Sequence, residues 1–142
     1  MSTFTSSLVL SAESRSVAGI LLLTIVAVEY GGWFMLRVVR RFEPATPFQQ
    51  AFYRAGHAHA GVLIVLALVG QILMDSTRLT GVLAFAARNG IWLAAILMPA
   101  GFFLSAAGHE VNKPSQLIAL LYVGIVSLTL GVIALGIGLL TA

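Results

Sequence analysis

A chain of 142 residues would ordinarily form one small soluble domain, but this one is 59% hydrophobic and only 9% charged. A mean hydropathy of +1.00 is more than so small a core could shield from water, so the solvent for most of the surface is lipid. The net charge of +3 sits on arginines flanking apolar runs rather than on a soluble basic face, which excludes a nucleic-acid partner. Cysteine is absent, so disulfides and thiolate metal ligands are excluded as well.

Residues 1–16 are rich in Ser and Thr and lack the basic region of a cleavable signal peptide, so the first apolar run is expected to be an uncleaved anchor. Crossing the bilayer core takes roughly 20 apolar residues in a helix. Four runs meet that length: Val17–Leu36, Ala55–Met74, Asn89–Gly108 and Ser115–Leu140. None shows the alternation of barrel strands, and lipid tolerates no other spanning backbone. The sequence therefore predicts an all-α integral membrane protein, a single domain over 1–142 with four transmembrane helices in an antiparallel bundle.

In the first run, Glu29 lies eight residues before Arg37, roughly 12 Å into the core at the rise of a helix. An ionisable group there costs at least ~2.5 kcal/mol, so it must be neutral, paired or facing a polar cavity. Arg37, Arg40 and Arg41 follow and are expected to anchor the chain on anionic head groups. Pro44 and Pro47 argue against one continuous helix through the first loop.

The second run carries Arg54, His57 and His59 near its start. Two residues apart on a helix means a turn of ~200°, so the two imidazoles cannot both face one bundle centre. His57 shares a face with Gln71 and Asp75, and His59 with the small Ala51 and Ala55, which favours His57 as the interior one. Thr80–Ala87 is apolar, too short to span and bounded by Arg78 and Arg88, so a short interfacial helix is expected between the second and third spans. In the third run Pro99 is expected to bend the helix, and Gly101, Ser105 and His109 form a stripe that would deliver His109 to the second helix. The fourth offers Gly124, Ser127 and Gly131 as a small-residue packing face.

Counting hairpins places Arg37, Arg40, Arg41, Arg54 and Lys113 on the first-loop side and Arg15, Arg78 and Arg88 on the other. The positive-inside rule then makes the first-loop side cytoplasmic and both termini external, as in a bacterial cytoplasmic membrane. Glu29, His57, His59, His109 and Glu110 fall toward that same side. This shared depth makes them candidate ligands of a transition metal, or of b-type haem held by histidines from the second and third helices. Glu29, Arg54 and His57 are alternatively candidates for an ion pair or for proton handling.

A competing reading has no chemistry: a non-catalytic accessory or assembly subunit, or homo-oligomer, whose glycine-lined faces pack against partners. An oligomeric ion or small-solute transporter is the third. No nucleophile elbow, phosphate loop, His-Glu-x-x-His helix or dinucleotide fingerprint occurs, so enzymatic activity by this chain alone is not expected.

Overall fold

A computed structural model describes residues 10–142. The expectation about the leading segment therefore lies largely outside the described residues. The chain forms four long helices, α1 (Ala12–Val39), α2 (Pro47–Met74), α3 (Gly81–Ser105) and α4 (Ala119–Leu140), with a short 3₁₀ turn at Gln116–Ile118 leading into α4. Each is long and apolar enough to cross a membrane, as the hydropathy pattern predicts.

The helix ends follow from local chemistry. Ser11 caps α1 by accepting from the Ser14 backbone N–H. Thr46 and Gln49 form a reciprocal capping box at α2, with Pro47 as its first residue, where a missing N–H costs nothing. Pro47 thus starts a helix rather than interrupting one, and the first loop shrinks to Arg40–Thr46. Arg41 adopts a left-handed φ of 61° in that reversal.

Two expectations need correcting. Thr80–Ala87 is not a separate interfacial helix: Thr80 is the N-cap of α3 and the following residues are its first turns. The reason is Arg88, which reads as a membrane-edge charge in isolation but is neutralised locally by Asp75 and Glu13, so the helix runs straight through it. At its other end α3 stops at Ser105, so the Gly101–Ser105–His109 stripe is not helical to its end. Gly101 and Ser105 are buried, with Gly101 against the backbone of Leu121, and His109 lies beyond in the α3–α4 loop.

Packing runs mainly between sequence neighbours: α3 on α4, α2 on α3, and α1 on α2. The α3–α4 seam is closest. A Cβ on Gly90 would lie 2.6 Å from Cα of Gly131, and the Ser127 hydroxyl donates to the Gly90 carbonyl at 2.9 Å. Met98 fills the space over Gly124. The small-residue face predicted on α4 is therefore the packing face. The core centres on Leu63, Ile64, Ala67, Ile91, Ala94 and Ala134. By contrast α1 packs mainly on α2, with a polar tie from its first turn to Arg88 of α3, and only 6% of its membrane-spanning window is buried. It is a strut on the edge of a three-helix unit.

Candidate functional site

At the first-loop end, α2 presents its two imidazoles to different neighbours. The His57 ring lies against α1 at Gly31 and Gly32, where added Cβ atoms would come within 3.4 Å of it. The glycines make room for the ring. His59 points toward α3: its ring centroid is 5.0 Å from that of Phe102, and Nδ1 donates to the Ala55 carbonyl at 2.7 Å. The ~200° separation read from the sequence is realised as two faces, one per helix contact. Between them Gly56 is buried against Phe103 and Phe102, with a virtual Cβ 2.9 Å from the Phe103 ring.

His109 and Glu110 are exposed in the α3–α4 loop, beside Glu43 and Thr46 of the first loop. Glu110 takes a left-handed φ of 51°. That loop is tied to α2 by Gln49, buried at 2% exposure, whose side-chain amide donates to the carbonyls of Ala106 and Gly108 at 3.0 and 2.9 Å. The Tyr53 hydroxyl also donates to Ala106 at 3.1 Å. Arg54 is exposed, its Nε bonded to the Gln50 carbonyl.

Glu29 is exposed on the outer face of α1. Among the described residues the ion pairs are Arg37–Glu43, Arg88–Glu13 and Arg88–Asp75, so Glu29 and Arg54 stand in none of them. Of the expected anchors, Arg37 is engaged with Glu43 and stacks over Trp33 at 4.9 Å, whereas Arg40 and Arg41 are exposed. The described residues contain no group of three His, Asp or Glu side chains placed to hold a metal ion. The five candidate ligands share an end of the molecule without converging on a point.

The best-connected polar cluster is at the opposite end. Asp75, at the C-cap of α2, accepts from the Ser11 backbone N–H and the Ser14 hydroxyl, both at 2.9 Å. Arg88 of α3 donates to Ser14 at 2.8 Å and pairs with Asp75 at 3.5 Å. The fully buried Gln71 donates to the Arg88 carbonyl at 2.7 Å. Burial works to raise the Asp75 carboxyl, but the hydrogen bonds from Ser11 and Ser14 and the Arg88 charge outweigh it and hold the group below the ordinary carboxylate value. This network pins the start of α1 to α2 and α3. Its sequence signal was Gln71 and Asp75 on one helical face, with Arg88 shortly beyond; Ser14 gave none. Comparison with protein families, curated proteins and solved structures found no match to this chain.

Proposed function

We propose that this small polytopic membrane protein is a non-catalytic assembling subunit that pairs with a second copy of itself through the outer face of α1. The observation that carries the reading is a seam of eight residues, Arg15, Gly19, Leu22, Val26, Glu29, Trp33, Leu36 and Arg40. They are spaced alternately four and three apart, and every one is exposed. That is the heptad spacing that keeps one stripe facing a partner in a left-handed helix pair, the commonest packing hand in membranes.

A monomer leaves this seam, and the Glu29 carboxyl within it, against lipid, where the carboxyl is costly. A second copy in the same membrane carries the same seam in the same direction. A parallel α1–α1 pair sets the two Glu29 side chains opposite each other, where a protonated carboxyl on one donates to the other. A polar residue at one position of an apolar seam fixes register and oligomeric state. In this reading the five cations of the first-loop side face the cytoplasm.

The test is the protein mass in mild detergent, measured by light scattering, for the parent, Glu29→Gln and Glu29→Lys. The parent and Glu29→Gln should weigh at least twice the 15.0 kDa chain, and Glu29→Lys should fall to the monomer because two ammonium groups at that register repel and reach for the head groups instead. A monomeric parent, or a Glu29→Lys oligomer of unchanged mass, overturns the proposal.

A further inference from the structure

Because α1 packs mainly on α2 and meets α3 through Arg88 near its start, a groove opens between α1 and α3, floored by α2, with a volume of about 290 Å³. That is near the lower bound of small-ligand sites, which are mostly apolar with a few placed polar groups. Trp92, Pro99 and Phe103 of α3 form one wall. Two lining side chains other than tryptophan carry a polar atom, Thr24 and His57. The Thr24 hydroxyl is spent on the Leu21 carbonyl at 2.6 Å, and the Trp92 indole N–H on Asn89 at 3.0 Å. Among the described residues nothing hydrogen-bonds the His57 ring, and the backbone it faces belongs to Gly31 and Gly32, which offer no side chain.

We infer that this groove is a binding site for a prenylated quinone, with a ring carbonyl accepting from the His57 imidazole and the tail lying along the apolar groove. The chemistry selects this occupant. An imidazole N–H left unpaired in lipid gains most from a good neutral acceptor. No acidic or basic side chain lines the groove, so a phosphate head group finds no counter-charge there. His57 is three residues past Arg54, roughly 5 Å deeper along the helix, below the level of charged heads. Trp92 and Phe103 supply flat apolar surface for a ring. The site is on a different face of α1 from the Glu29 seam and stands independently of the assembly reading.

Trp92 is also the reporter. In a Trp33→Phe background it is the remaining tryptophan, and its fluorescence is followed in nanodiscs of neutral phospholipid titrated with decyl-benzoquinone. The expected result is saturable quenching, with half-saturation shifted at least about fivefold upward in His57→Leu by loss of one hydrogen bond. His57→Gln, which keeps a donor, should stay within about threefold of the parent, and Ala60→Phe, which fills the groove, should abolish saturation. Quenching that rises linearly with quinone, or that saturates identically in His57→Leu, shows simple partitioning or acyl chains in the groove and overturns the inference. Helical circular dichroism and a single elution peak establish that each variant is folded. If His57→Leu is not, the contrast between parent and Ala60→Phe decides.

Discussion

Ser14, Asp75 and Arg88 show how a few polar groups decide the placement of a helix that buries little else. The Arg88 and Asp75 side chains are only 16% and 17% exposed, so removing one partner strands a charge in poor solvent rather than returning it to water. Arg88→Leu should therefore cost about 1–2 kcal/mol, between the values for an exposed and a buried pair, read as the midpoint of thermal or SDS unfolding. Loss of the Arg88–Glu13 contact adds little, because Glu13 is 64% exposed. The pH dependence has a definite sign. A carboxyl held below its ordinary value of 3.8 stabilises the fold fully above that value, and the contribution is lost as pH falls through the lower folded value. Parent protein should lose stability between about pH 4 and pH 2 more steeply than Asp75→Asn, which has no proton to gain there. Equal slopes in the two proteins would remove the network from the account of α1 docking.

Between elements, the decisive contacts are backbone to backbone. Gly90 and Gly131 let α3 and α4 approach until a single methyl on Gly90 would sit 2.6 Å from the backbone of the opposite helix, a distance no side-chain adjustment relieves. Gly90→Ala should cost about 1–3 kcal/mol by overpacking. Gly136→Ala, with nothing within 4 Å of the added carbon, should be neutral or slightly stabilising, since alanine is the better helix former. Unfolding midpoints of the two variants check both statements, and equal losses would refute the close approach. This level was partly legible in the sequence. The four spans were readable because lipid demands long apolar runs, and the α4 stripe because small residues at helical spacing have few other uses in a membrane. The continuity of α3 through Arg88 was not, because the partners that neutralise it lie 13 to 75 residues away in sequence. The end of α3 at Ser105 was missed likewise. Gln49 holds that loop to α2 by bonds across 57 and 59 residues, which no local pattern announces. The common depth of the histidines was readable by counting rise, and so was the divergence of His57 from His59. Whether they converged with His109 depended on where α3 ended.

For the whole molecule, the unequal distribution of packing is the central fact. Three helices bury one another's small faces, whereas α1 is tethered at the Ser14 network, touches His57 through two glycines, and keeps its outer seam free. The absence of cysteine allows that seam to be mapped without a background. Single cysteines at Leu22, Val26 and Trp33 lie on the seam, while Leu23 is on the same helix and even more exposed at 76% but is turned ~100° away from Leu22. Ile133, 55% exposed on α4, samples an unrelated lipid-facing surface. If two copies pair through α1, oxidation in native membranes should give disulfide-linked dimers at 22, 26 and 33, several-fold more than at 23 and 133. High yields at seam positions four and seven apart, with low yield at the neighbouring position 23, are the signature of a parallel helix pair, which random collision in the bilayer does not reproduce. Uniform yields at all five positions would mean that exposure alone governs the reaction and would detach α1 from any self-association. Adding Glu29→Lys to the Val26→Cys chain completes the argument, because loss of the cross-link there ties the pairing to Glu29, the charge-bearing position that lies between the two terminal arginines of the seam.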